Sequence, residues 1–194
     1  MPVVHLVDDD VAVTEACQFL LEGFGYRVQC WNESQTFLAQ AALHEAGVAL
    51  LDLRMPHLDG HGLYGELLKR RSTLAVIFLT GHGDLPVAVE QMKRGAVDFL
   101  QKPVSAGPLI AAIERAQAVS SAACERRQIR QRYESLTPKE REIAQFIVQG
   151  LMNREIAGRL NVALRTVEVH RARVMEKMAA LNIAELVGKM RAMD

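Results

Sequence analysis

The chain has 194 residues, 49% of them hydrophobic and 24% charged, with a formal net charge of zero at pH 7. That apolar content supports packed cores and argues against disorder, and the length fits one large domain or two small ones. The opening Met-Pro-Val-Val-His-Leu-Val lacks a basic n-region, and no later stretch is long enough to cross a bilayer, so neither a signal peptide nor a membrane partner is expected.

Cys17, Cys30 and Cys124 are widely spaced and form no CxxC pair, which reads as small reduced fillers in a cytoplasmic protein. The zero net charge hides an asymmetry: residues 1–119 carry 9 Lys+Arg against 14 Asp+Glu, and residues 120–194 carry 14 against 9. A basic C-terminal part is compatible with a polyanionic partner and equally with a solvated surface.

Along the first 119 residues, strands are predicted at 3–7, 27–31, 48–53, 75–79 and 98–100. The third and fourth runs are almost uninterrupted, as buried parallel strands require. Helices are predicted near 11–23, 34–44, 60–71 and 84–94, with another from about 105. Gly-Phe-Gly at 23–25 and Gly95 after Lys93-Arg94 read as helix stops. This alternation predicts an α/β, doubly wound, five-stranded parallel sheet whose site lies outside the carboxyl ends of the strands. Residues 109–132 read as a helix of rising polarity, with 120–135 a helical or flexible linker. Residues 136–194 read as an all-α domain with helices near 137–149, 153–160, 164–179 and 182–193. Thr137-Pro138-Lys139-Glu140 has the N-cap, first-turn proline and third-position carboxylate of a capping box, and Asn182 with Glu185 repeats that logic.

The predicted strand ends carry Asp8 and Asp9, Asp52, Thr80 and Lys102. Singly, each has an ordinary explanation: an N-cap cluster, a strand-end hydroxyl, a solvated charge before a turn proline. Together they set three carboxylates on one rim, where they repel unless a cation joins them, and hard oxygen ligands suit Mg²⁺. A carboxylate so held can attack a phosphoryl group, while the Lys102 ammonium and Thr80 hydroxyl spread charge on the transferring oxygens. Asp10 reads as a surface acid, and the histidines show no ligand spacing.

Four separated segments carry a resemblance: Val7-Asp8-Asp9; Leu51-Asp52-Leu53-Arg54-Met55-Pro56 with Asp59-Gly60; Leu79 through Asp84; and Gly95 through Pro103. Over roughly residues 1–118 the chain resembles the receiver domains of two-component response regulators. The resemblance implies that Asp52 accepts phosphate from a sensor histidine kinase. It implies that Asp9, Asp52 and the Arg54 main-chain carbonyl bind Mg²⁺ directly, with Asp8 acting through water. Lys102 would pair with the phosphoryl group, Thr80 would swing to it, and Phe99 would rotate inward in response, or simply be a buried strand residue. The Arg54 side chain would face the phosphoryl pocket. The run Thr80 to Asp84 resembles the FixJ-like branch, whose activated receivers dimerise, here through residues 85–94 and 98–102.

In the C-terminal part, the turn at 161–163 joins two helices as a helix-turn-helix, whose second helix can enter the major groove. Val167, Val174 and Met178 recur at helical spacing and should face the core. Arg165, Glu168, Val169, Arg171, Ala172, Arg173 and Lys177 are then more exposed; the cations can neutralise phosphates and Glu168 can accept from cytosine. Leu136 through Glu142, Gly150-Leu151, Asn153 through Ala157, and Thr166 through His170 resemble the LuxR-type helix-turn-helix of NarL/FixJ regulators. That likeness implies groove-facing positions for Glu168, Val169 and Ala172, and base or phosphate contacts for Arg171 and Arg173. Asn153, Arg154, Thr166, His170 and Lys177 would be positioning contacts, with half-buried packing the alternative for His170. The basic run 126–132 reads as a solvated linker face, with contact to DNA the alternative. One departure stands out: the family commonly has serine and a polar residue where this chain has Ala163-Leu164. Losing a hydroxyl cap costs ~1 kcal/mol, so the helix starts more weakly unless Leu164 covers an apolar neighbour.

The expected protein is a transcription factor whose phosphorylated homodimer binds double-stranded DNA and acts on RNA polymerase, mostly as an activator. Three other readings remain: a phosphate-ester hydrolase, a LuxR-type regulator sensing a small apolar signal, and a constitutive DNA binder with a vestigial receiver. The first lacks a second acid/base aspartate two residues past Asp52, where Arg54 stands. The second has no need of the phosphoacceptor constellation. DNA affinity with and without phosphodonor separates the third.

Overall fold

The computed structural model describes residues 2–81 and 85–193, without the side chains of Leu85, Pro86 and Ala88. The His82-Gly83-Asp84 part of the fourth motif therefore lies outside the described residues. The chain divides into two compact units, Met1–Cys124 and Glu125–Asp194.

The first unit is a five-stranded parallel sheet in the order β2-β1-β3-β4-β5. Its strands are β1 (Val3–Val7), β2 (Arg27–Trp31), β3 (Gly47–Asp52), β4 (Ala75–Thr80) and β5 (Asp98–Gln101). Between them lie α1 (Val11–Gly23), α2 (Ser34–Gln40), α3 (Gly60–Lys69) and α4 (Leu85–Lys93), and α5 (Ala106–Glu134) follows. The order reverses around β1 and β3, as in a doubly wound sheet, so the crevice at their carboxyl ends is where a site belongs.

Alternation along the strands assigns the two faces. Val48 and Leu50 join Val4, Leu6, Ile77 and Leu79 against Cys17 and Leu21 of α1 and Leu109, Ala112 and Ile113 of α5. Ala49 and Leu51 join Val76 and Phe78 against Phe37 of α2 and Leu63, Tyr64 and Leu67 of α3. Every residue of β3 and of β4 is buried, the outcome expected of strands covered on both sides. Full burial of each Val, Leu, Ile or Phe side chain among them contributes about 1.5–3 kcal/mol. Helix α2 stops at Gln40, short of the predicted 44, because Ala41 turns extended (ψ 148°). The carbonyls of Leu38 and Leu43 then accept from Arg70 (2.9 Å) and Ser72 (2.6 Å) instead of continuing a helix.

In the second unit, the end of α5 packs with α6 (Pro138–Val148), α7 (Asn153–Leu160), α8 (Leu164–Lys177) and α9 (Ile183–Arg191). Ile129, Leu136, Ile143, Ile147, Ile156, Val167, Val174, Met178 and Leu186 form its core. The capping box of α6 is complete: Thr137 Oγ1 accepts from the Glu140 amide (3.3 Å) and the Glu140 carboxylate accepts from the Thr137 amide (2.8 Å). At α9, Asn182 accepts from the Glu185 amide (2.9 Å), but Glu185 reaches back to Leu181 rather than to Asn182. Among the described residues, no helix is long and apolar enough to cross a membrane.

Candidate functional site

At the carboxyl rim of the sheet, β1 leads into Asp8 and Asp9, and β3 ends on Asp52. The Asp8 amide donates to the Trp31 carbonyl (3.1 Å) and its carbonyl accepts from the Asn32 side chain (3.1 Å), which fixes the first loop. On the other side, α3 begins at Gly60 under a cap from Asp59, which accepts from the Gly62 amide (2.7 Å). A Cβ at Gly60 would lie 2.2 Å from the Asp52 carbonyl oxygen, so glycine is what lets the helix start so close to the acidic strand end.

Asp8, Asp9 and Asp52 each present a carboxylate oxygen within 4.8 Å of the others. Asp8 and Asp52 are buried and Asp9 is exposed. Lys102 reaches between the buried pair, its Nζ 2.6 Å from Asp8 Oδ2 and 3.1 Å from Asp52 Oδ1. One ammonium thus bridges two of the three carboxylates. Burial pushes the Asp52 carboxyl above its ordinary value; Asp8 adds to this, against the opposing pull of Lys102 and the Arg54 amide. For Lys102, burial works downward, but the hydrogen bonds to Asp8 and Asp52 outweigh it and raise its pKa.

Thr80, buried at the end of β4, donates to the Leu100 carbonyl (3.4 Å), and its own carbonyl accepts from the Lys102 amide (2.8 Å). The hydroxyl and the ammonium are therefore fixed at adjacent strand ends. Phe99 is half-buried and packs on the core that β3 and β4 share with α2 and α3. The Arg54 side chain is exposed. Asp10 serves α1 as N-cap, accepting from the Ala12 amide (2.9 Å).

In the second unit, α7 ends on Asn161 in the left-handed region (φ 51°), which makes the sharp turn into α8. Along α8, Val167, Val174 and then Met178 are buried, while Arg165, Thr166, Val169, Ala172 and Arg173 are exposed and Glu168 is half-exposed. Arg154 on α7 is exposed too. Others of the expected contact residues already have partners. Asn153 Oδ1 accepts from Arg171 (2.7 Å), and Arg165 lies 3.4 Å from Glu168. Lys177 pairs with the buried Glu140 at 2.7 Å. His170 is half-buried, with Nδ1 enclosed and lacking a hydrogen-bond partner. Ala163 gives α8 no side-chain cap, and Leu164 beside it is 37% exposed.

Sequence reasoning missed two buried polar arrangements. Trp31 Nε1 donates to Nδ1 of the buried His5 (3.2 Å), and the Glu140–Lys177 pair ties α6 to α8. The second had a signal, since Glu140 was already placed in the capping box; the first pairs strands whose register no local pattern reveals.

A doubly wound sheet with this acidic rim and its lysine defines a receiver, and α7 with α8 defines a helix-turn-helix. Together on one chain they define a response regulator that acts on DNA. Residues 4–114 match the response regulator receiver domain, and residues 134–190 match the luxR family of bacterial regulatory proteins. The chain is 64% identical over 193 residues to the tetrathionate response regulatory protein TtrR of Salmonella typhimurium, covering 100% of this chain and 94% of that relative. It is 36% identical to the response regulator StyR, whose low-resolution structure aligns with a TM-score of 0.75 over 98% of both chains. Full-length FixJ from B. japonicum aligns at 38% identity and a TM-score of 0.59, over 98% of this chain and 97% of that one. The chain belongs to the NarL/FixJ family of response regulators, with a LuxR-type DNA-binding domain, and is a transcriptional regulator rather than an enzyme.

Proposed function

We propose that phosphorylation of Asp52 by a sensor histidine kinase drives dimerisation and sequence-specific DNA binding, and thereby activates transcription through RNA polymerase. The observation that carries this reading is the Asp8, Asp9 and Asp52 group with Lys102 held between its two buried members. In the transfer, an Asp52 carboxylate oxygen forms the new O–P bond as the P–N bond of the donor phosphohistidine breaks. The bonding pair leaves with the imidazole. Lys102 and Thr80 then neutralise and hydrogen-bond the phosphoryl oxygens.

Three hard carboxylates against one ammonium keep a surplus of negative charge, which fits a hard dication. Asp8, Asp9, Asp52 and the Arg54 carbonyl would hold Mg²⁺, which when bound neutralises charge on the phosphoryl oxygens. When the phosphoryl group recruits Thr80, its bond to the Leu100 carbonyl is given up, and Phe99 next to Leu100 is placed to follow. For dimerisation, the α4 and β5 face is supported by Val87 and Val89, which are 39% and 44% exposed. We assign residues 1–119 to the receiver, 120–135 to the connecting segment and 136–194 to DNA binding, in the cytoplasm. Because TtrR is a tetrathionate response protein and is 64% identical, the same response is the proposed context for this chain.

The test is labelling by a small phosphodonor such as acetyl phosphate. Wild type should label only with Mg²⁺, and its DNA affinity at fixed salt should rise with labelling. Undiminished labelling in Asp52→Asn sinks the assignment; labelling without any change in DNA affinity sinks the switch.

A further inference from the structure

In the unit that begins at Glu125, three helices each bring an arginine to one open cavity of about 490 Å³: Arg130 from α5, Arg141 from α6 and Arg191 from α9. Tyr133, Met190 and Met193 supply apolar wall, and Glu134 is the one carboxylate among the described lining residues. None of the three guanidiniums forms an ion pair among the described residues.

What bonds they make go to neutral groups. Arg130 donates to the Met193 carbonyl (3.2 Å) and Arg141 to the Glu134 carbonyl (2.6 Å). The Arg141 guanidinium also lies 5.6 Å from the centre of the Tyr133 ring. Its Nε is buried with no hydrogen-bond partner, an arrangement that costs stability unless something accepts from it. Among the described residues, positive charge in excess, an unsatisfied enclosed donor and a cavity of small-ligand size therefore coincide at one place.

We propose that this cavity binds a small organic oxyanion: a carboxylate or phosphate on a compact apolar or aromatic body. Guanidinium forks match both oxyanions, while the tyrosine ring and methionine side chains suit the apolar body. No residue of α7 or α8 lines the cavity, so the site is separate from the expected DNA-reading helix and does not depend on that reading. A ligand held by α5, α6 and α9 at once stabilises this unit by mass action.

The test is calorimetric titration of the full chain, in magnesium-free buffer, with inorganic phosphate, acetate and benzoate. Saturable binding is expected, with benzoate tighter than acetate. Arg191→Gln, at an exposed residue, should weaken it about tenfold, as should Arg141→Lys, which keeps the charge but lacks Nε. Both variants should keep the wild-type circular dichroism spectrum. Unchanged affinity in both overturns the proposal. So does equal weakening in Lys102→Gln, which would place the anion at the acidic rim, or displacement of phosphate by duplex DNA, which would make this a backbone contact.

Discussion

Replacing His5 with leucine should remove a defined part of the receiver's sensitivity to acid. His5 is 3% exposed in β1, between the rings of Trp31 and Phe37 at 6.1 and 5.6 Å, and burial lowers its pKa from 6.5 to about 4. Its Nδ1 accepts from Trp31, so a proton there would also cancel the indole's acceptor. In the unfolded chain the imidazole takes its proton near pH 6.5, while in the folded chain it resists until about pH 4. Falling pH therefore favours unfolding: the stabilisation is complete above the unfolded pKa and drains away across that window. The slope approaches ~1.4 kcal/mol per pH unit, which gives about 2 kcal/mol between pH 7 and pH 5. Trp31 is the single tryptophan in the chain, so urea unfolding followed by its fluorescence reports on this unit. Wild type should lose about 2 kcal/mol more than His5→Leu over that interval, since carboxylate contributions common to both cancel. An equal loss in the two proteins refutes the reasoning.

Gly60→Ala should damage the receiver where it matters most, because its new methyl meets the backbone of Asp52 and Leu53, which no side-chain rotation relieves. Expected are a stability loss of about 2 kcal/mol or more and slower phosphodonor labelling, read by urea unfolding and by labelling rate. Glu140→Ala removes the reciprocal half of the α6 cap and the partner of the partly exposed Lys177, so the second unit should lose about 1–2 kcal/mol in thermal unfolding followed by circular dichroism. The Glu140 carboxyl is held below its ordinary range by Lys177 and by the Thr137 amide, so its contribution is present above the unfolded value of 4.5 and is lost as pH falls further. On DNA, Arg173→Gln should reduce the slope of log affinity against log salt by about 0.9, with uniform weakening across sequences. Glu168→Ala should instead relax base preference at one position by about 1–3 kcal/mol, measured by competition binding.

The sheet was legible because burial on both faces leaves β3 and β4 no choice but continuous apolar runs, and because glycines at 23–25 and 95 mark where helices end. The rim followed from topology: once strands are parallel, residues after them must gather at one edge. What stayed hidden depends on contacts between distant segments. Ser120 is fully buried, accepts from the Gly47 amide (2.9 Å) and donates to the Thr73 carbonyl (2.6 Å), yet in sequence it sits in a polar, alanine-rich stretch without distinction. Ile129 is anchored in the second core although its neighbours are mostly charged or polar, which is why 120–135 read as helical or flexible. Gln91 is likewise fully buried, its side-chain amide 2.6 Å from Nδ1 of His61, thirty positions away.

The expected DNA contacts differ in how freely they can serve, and the difference is energetic. Arg165 and Glu168 form an exposed pair worth at most about 1 kcal/mol, so a phosphate or a base edge can separate them at little cost. Arg171 must give up a hydrogen bond to Asn153, but that amide sits at the start of α7 and can turn to water or to a phosphate itself. Lys177 is in another position: taking its ammonium away strands a carboxylate that is 2% exposed. A phosphate would have to outweigh the loss of a charge-assisted bond to a buried carboxylate left with the Thr137 amide, on the order of 1.5–3 kcal/mol, whereas Arg173 is exposed and incurs no such cost. The salt dependence of binding should therefore fall on Arg165 and Arg173, while Lys177 acts by holding α8 against α6.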